Sequence, residues 1–180
     1  MNAFKFSRLI FGFFIISFLS LNAYANTDVY AQLSSLKNQS ANESKNVVTL
    51  DTIDELLNLQ NTQNAVSIQE DGVYFVMAAG QVGVLKKEEM GDGYVDLWLI
   101  KNGKAVDNSN TRQTISKAST GVLVSQSIMK LKAKDTISVG FSASNPAMGL
   151  VAIPAANAEP AIPSIIFSIY KISTDTSSSK

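Results

Sequence analysis

The sequence predicts an all-β chain, an antiparallel jelly-roll β-sandwich of about eight to ten short strands. Three observations carry this. Short β-favouring runs recur from Val47 to Ile172, and each is closed by Gly, Pro, Asn, Asp or a charged cluster. Apolar residues at helical spacing are almost absent. One stretch, Gly72 to Val84, is apolar on both sides. Val73, Phe75 and Met77 point one way and Tyr74, Val76 and Ala78 the other, because successive side chains on a strand alternate. A strand wetted on one side would carry a polar residue at every second place. Each side of this strand therefore needs cover. With hardly a helix to supply it, the sandwich core covers one side and a second subunit the other.

The N-terminus is set apart first. Lys5 and Arg8 precede an apolar run from Leu9 to Leu21, about thirteen residues and short for a bilayer span. Ala23-Tyr24-Ala25 then gives a small-x-small pattern. Together these predict a signal peptide over residues 1–25, cleavage following Ala25, and secretion to the periplasm or the extracellular space. Removing Lys5 and Arg8 from the 15 basic residues leaves 13 against 15 acidic ones. That balance argues against nucleic acid as a partner, since phosphate binding needs clustered Lys and Arg. No later run is apolar and long enough for a transmembrane segment. There is no Cys and no His, which excludes a thiol nucleophile, a Cys zinc site and a lipid anchor on Cys. It also removes the commonest metal ligand and general base. A secreted domain without disulfides points to a bacterial envelope or extracellular protein held by its core or by oligomerisation.

Asn26 to Asn46 is polar, rich in Ser, Asn and Gln, and reads as a linker. Val29, Leu33 and Leu36 sit at helical spacing, too few for a coil. Val47 to Leu50 is a short β-favouring run. Thr52-Ile53-Asp54-Glu55 matches a capping box ahead of Leu56 and Leu57, so residues 52–57 are either one short helix or a strand. Ala65 to Ile68 alternates as a strand does. After Gly72–Val84, the charged segment 86–93 is a loop. Tyr94 to Ile100 is the next strand, with Val95, Leu97 and Leu99 on one face and Tyr94, Trp98 and Ile100 on the other. Asn102-Gly103 is the strongest short hairpin signal. Asp107 to Asn110 turns again, and Thr111 to Lys117 is a polar edge strand. Gly121 to Met129 and Thr136 to Phe141 are strands, the second with Ile137, Val139 and Phe141 inward. A short apolar run at Gly149–Ile153 is stopped by Pro154, and residues 155–163 form a proline-rich loop. The last strand, Ile165 to Ile172, is again apolar on both faces. Residues 173–180 are a polar, flexible tail.

Several of these pieces resemble the C1q/tumour-necrosis-factor jelly-roll superfamily, nearest its globular C1q-like domains. They are Gly72-Val73-Tyr74-Phe75-Val76, Leu99-Ile100-Lys101-Asn102-Gly103, and Gly121-Val122-Leu123-Val124 followed by Leu131 to Ile137. Phe167-Ser168-Ile169-Tyr170 falls where the family's last strand ends. Lys134 stands where the family's turn carries Gly, and no collagen-like repeat precedes the domain. The resemblance covers residues 47–172. It implies a ten-stranded jelly roll, usually a homotrimer about a threefold axis, that binds a protein, glycan or surface, in some members with calcium.

Tyr74, Val76, Phe167 and Ile169 are the expected intersubunit contact. The densest acidic group, Glu88, Glu89, Asp92 and Asp96, is a candidate for calcium through hard oxygen ligands. Lys86 and Lys87 beside it favour a solvated charged loop instead. No other metal set and no catalytic constellation stands out, so the chain reads as no enzyme. Trp98 is either core, interface, or a stacking surface for a sugar. The functional expectation is a secreted, non-catalytic adhesion or recognition module that works as a homotrimer. A monomeric carbohydrate-binding β-sandwich and a structural subunit of an extracellular matrix or appendage are the alternatives. Intact-mass measurement of the secreted product tests the first step: the chain is expected to begin at Asn26, and a mass that includes Met1 contradicts cleavage.

Overall fold

The structure, a computed structural model, describes residues 28–41, 46–62, 64–86, 92–116 and 119–174. Among these the regular structure is all β. In chain order the strands are β1 (Tyr30–Ser35), β2 (Gln39–Ser40), β3 (Asn46–Val47), β4 (Thr52–Leu57), β5 (Leu59–Thr62), β6 (Ala65–Ile68) and β7 (Gly72–Val84). They continue as β8 (Gly93–Lys101), β9 (Lys104–Ala105), β10 (Thr111–Ile115), β11 (Gly121–Leu131), β12 (Thr136–Ala143), β13 (Met148–Leu150) and β14 (Ile165–Ser173).

Two antiparallel sheets form a sandwich. The first runs β4-β1-β14-β7-β11, and β13 continues the β14 edge of β7 with β2 beyond it. The second runs β10-β8-β12-β6-β5, with β9 on β8 and β3 on β12. The long strand β7 is the spine of the first sheet: β11 pairs along one edge from Gly72 to Val82, and β14 along the other. Inward residues of both sheets meet in one core that includes Leu33, Tyr74, Val76, Phe167, Leu97, Leu99 and Phe141, all buried. Leu33 lies opposite Phe167 and Phe167 opposite Ala78, so the buried positions line up across three strands.

The turns explain the registers. Asn102 and Gly103 both take left-handed backbone, at φ 51° and 76°, as a two-residue hairpin between twisted strands requires. Asn58 and Asn108, at φ 55° and 59°, do the same with side chains that tolerate that region. Asp135 accepts the Lys132 amide at 2.8 Å and the Asn102 side chain at 2.7 Å, and pairs with Lys101 at 2.9 Å. These bonds lock the β11–β12 turn to the β8–β9 hairpin.

Two expectations are corrected. Residues 26–46 are not a linker as a whole: β1 is an inner strand of the first sheet, between β14 and β4. Val29, Ala31 and Leu33 are buried at strand period, with polar Gln32 between them, and Leu36 is exposed. The helical spacing of 29, 33 and 36 is a coincidence of two periods. The second correction is the capping-box reading: residues 52–57 are β4, an edge strand, because β1 offers them a ladder that an isolated short helix lacks. Residues 175–180 lie outside the described residues, and Ser173 still belongs to β14.

Lys134 holds φ 76°, the left-handed conformation for which the resembling pattern carries Gly. A side chain there costs about 1 kcal/mol. Lys134→Gly is therefore expected to raise stability by about 0.5–1 kcal/mol in urea unfolding at an unchanged slope, a fall in the midpoint being the contrary result.

Candidate functional site

The site emerges from the side of the first sheet that the core does not use. On β7 the burial alternates without a break from Gly72 to Val82. Tyr74, Val76 and Ala78 are buried; Val73, Phe75, Met77 and Ala79 are half-exposed on the opposite face. On β14, Ile165, Phe167 and Ile169 are buried, and Ile166, Ser168 and Tyr170 face outward.

The registers assemble these outward residues into rows. Phe75 lies opposite Ile128 on one side and Tyr170 on the other. Tyr170 lies opposite Tyr30, and Tyr30 opposite Leu57. One line of apolar side chains, Ile128–Phe75–Tyr170–Tyr30–Leu57, thus crosses five of the sheet's seven strands. Ile128 is 65 % exposed, Tyr170 48 %, Leu57 39 % and Tyr30 38 %. The Phe75 and Tyr170 rings are 5.3 Å apart in a tilted contact, the geometry an aromatic pair prefers. The next row is mostly polar: Gln126, Met77, Ser168, Gln32 and Glu55. The third turns apolar again with Val124, Ala79 and Ile166. Tyr30, Tyr170, Glu55 and Gln32 also line a shallow depression on this face.

The four residues expected at an intersubunit contact, Tyr74, Val76, Phe167 and Ile169, are instead all buried in the core of the single chain. The strands are apolar on both faces, and the face that closes the sandwich is the one met by Leu97, Leu99 and Phe141 of the second sheet. Tyr74 fits that core because its hydroxyl donates to the Glu70 carbonyl at 2.8 Å, at the rim. Sequence reasoning missed Tyr30 and Leu57, which lie in segments read as linker and capping box. The alternation of Val29, Ala31 and Leu33 is the signal that would have placed Tyr30.

Of the four acidic candidates only Asp92 and Asp96 belong to the described residues. Glu88 and Glu89 lie outside the described residues, and Asp92 is exposed. Asp96 is buried and committed: it accepts from Arg112 Nε and Nη2, both at 2.8 Å. The Arg112 guanidinium sits 3.6 Å from the Tyr94 ring centroid, and its hydrogen bonds to Asp96 raise its pKa further. Among the described residues no three His, Cys, Asp or Glu side chains converge as a metal site would need, and no helix is long and apolar enough to cross a membrane.

A sandwich of two antiparallel sheets with this strand order is a TNF-like jelly roll. Among solved structures, the crystal structure of murine APRIL, a TNF-family jelly roll, is similar at a TM-score of 0.53 and 11 % identity, over 81 % of this chain and 99 % of that one. At that identity the likeness establishes the fold. No family model and no curated protein matches the chain.

Tyr74 gives a test of the core assignment. Burial, with lesser help from the charges of Glu70 and Asp71, pushes its phenol from 10.0 to about 12. The folded state therefore favours the neutral phenol, and that contribution is intact below pH 10 and lost as pH rises towards 12. The stability advantage of wild type over Tyr74→Phe is expected to shrink by about 2 kcal/mol between pH 10 and 12 in urea unfolding. A gap independent of pH would place Tyr74 in solvent.

Proposed function

We propose that this chain is a secreted, non-catalytic recognition or adhesion module of the C1q-like kind, acting as a homotrimer. The outer face of the β4-β1-β14-β7-β11 sheet is its subunit contact. The observation that carries this is the apolar row Ile128–Phe75–Tyr170–Tyr30–Leu57, backed by Val124 and Ile166. Exposed apolar surface that is contiguous over five strands is rare on monomers and frequent where chains associate. Three of the five residues in the row are aromatic, the residue type enriched at interfaces. The polar row of Gln126, Ser168, Gln32 and Glu55 between the two apolar ones gives the contact hydrogen-bonding partners that fix its register.

The TNF-like fold supports a trimer over a dimer, and the signal-like N-terminus supports export. A non-catalytic role is supported by the chemistry at hand. The chain has no His or Cys, and its buried carboxylate Asp96 is held by an arginine. Such a module places its ligand-binding surfaces on whatever the trimer leaves open.

Light scattering on the chain from Asn26 onward is expected to give three times the chain mass at micromolar concentration. Phe75→Glu combined with Tyr170→Glu puts two charges into the row, and is expected to yield a folded monomer with unchanged far-ultraviolet dichroism. A wild-type monomer at micromolar concentration, or a double variant that still associates, contradicts the assignment.

A further inference from the structure

The second sheet carries the chain's single tryptophan, Trp98, on its outer face. The inner face of β8 is complete without it: Val95, Leu97 and Leu99 are fully buried in the core. Trp98 is half-buried, and it lies opposite Gly140 of β12. The indole occupies the space that a side chain at 140 would need; a Cβ there would collide with Cε2 and Nε1. A glycine in mid-strand weakens a sheet and marks close approach of another group. Here the approaching group is an indole seated on the backbone, fixed in place on a surface that water reaches.

Among the described residues its surroundings are polar, and the charges of Asp96 and Arg112 offset each other. Ser142 lies opposite Asp96 and Ser138 opposite Ile100, and both serines are outward and half-buried. Arg112 and Asp96 neutralise each other through two 2.8 Å hydrogen bonds, and the guanidinium is stacked on Tyr94, four residues before Trp98 on the same face. The planar, pinned Arg112 side chain is 55 % exposed. Beyond Gly140 the row ends at Val47, which is exposed. This is one fixed aromatic surface beside hydroxyls and a rigid guanidinium–carboxylate pair.

We infer that this face binds a neutral saccharide, with the Trp98 indole stacked on the apolar face of a pyranose ring. Hydroxyl groups of the sugar reach Ser138, Ser142 and the Arg112–Asp96 pair. The charge balance decides the ligand class. A polyanion would need an excess of Lys or Arg here and a cation an excess of carboxylate, and among the described residues the face offers neither. A purely apolar peptide would leave the serines and the ion pair desolvated without partners. A sugar presents a C–H face to the ring and hydroxyls to its rim, so both sets are satisfied. Pinning of Arg112 and Trp98 before binding limits the ordering cost. This inference rests on the recognition-module reading and names its ligand class, but it uses the sheet opposite the proposed subunit contact.

Because Trp98 is the only tryptophan, its emission reports this face alone. The secreted chain is titrated with cellohexaose, laminarihexaose, mannohexaose and chitohexaose, and with heparin as the anionic control. At least one neutral hexasaccharide is expected to shift or quench the emission with saturation at sub-millimolar concentration. Trp98→Ala is expected to weaken that binding at least tenfold by calorimetry, and Trp98→Phe less. Both variants are expected to keep the oligomeric mass of wild type. Gly140→Val, which must displace the indole while keeping it present, is expected to lose binding as well. No response to any neutral hexasaccharide at 5 mM on the order of weak glycan affinities, preference for heparin, or binding unchanged in Trp98→Ala overturns the inference. A loss of oligomeric mass in Trp98→Ala overturns it too, since the face would then be a subunit contact. The Phe75→Glu, Tyr170→Glu chain keeps Trp98, so a monomer that still binds the sugar separates failure of the trimer from failure of this site.

Discussion

The strand Gly72–Val84 is apolar on two faces, and a strand can give only one face to a sandwich core. Everything else follows from where the other face goes. β7 pairs along nearly its whole length on both edges, so it cannot twist away from water or retreat to the rim. Tyr74, Val76 and Ala78 close the core; Phe75 and Met77 remain outside. β14 repeats the arrangement with Phe167 and Ile169 inside and Ile166 and Tyr170 outside. Because registers fix which residues are neighbours, two doubly apolar strands side by side generate a continuous row. β1 and β4 extend it with Tyr30 and Leu57, and β11 with Ile128.

The two outer faces of the sandwich are chemically unlike. The first is apolar in rows and suits burial against a neighbouring subunit. The second bears serines, a neutralised ion pair and one indole on a glycine, and suits a small, hydroxylated ligand. In the proposed trimer, assembly through one sheet would leave the other turned outward on each subunit. The weak saccharide binding proposed for that face would then gain at three equivalent copies through effective concentration on a repeated surface.

Much of the architecture was legible in the residues. Thr136–Phe141, with its clean alternation, folded with the faces its pattern predicts, and Asn102-Gly103 formed the tight hairpin its backbone freedom favours. β1 was not legible because Gln32 and Ser34 dilute a strand of only six residues, and its apolar positions also fit a helical spacing. β4 was ambiguous because Thr52–Glu55 carries a real capping pattern; the ladder offered by β1 decides it, and that ladder is a tertiary fact. The contact residues were assigned to the wrong side for a related reason. In Tyr74-Phe75-Val76-Met77 both parities are large and apolar, so alternation identifies two faces without saying which meets the second sheet. That choice is made by the partner sheet, whose inward Leu97, Leu99 and Phe141 complete the core. Trp98 lay between core, interface and sugar surface in the sequence, and only its seat on Gly140 removes it from the core.

Hydroxyl-radical footprinting of the native chain over a dilution series tests the role of the outer face most directly. Phe75, Met77 and Tyr170 are expected to be protected at micromolar concentration and to become reactive together on dilution, while Trp98 reacts throughout. Equal reactivity of Phe75 and Tyr170 at every concentration would contradict that role.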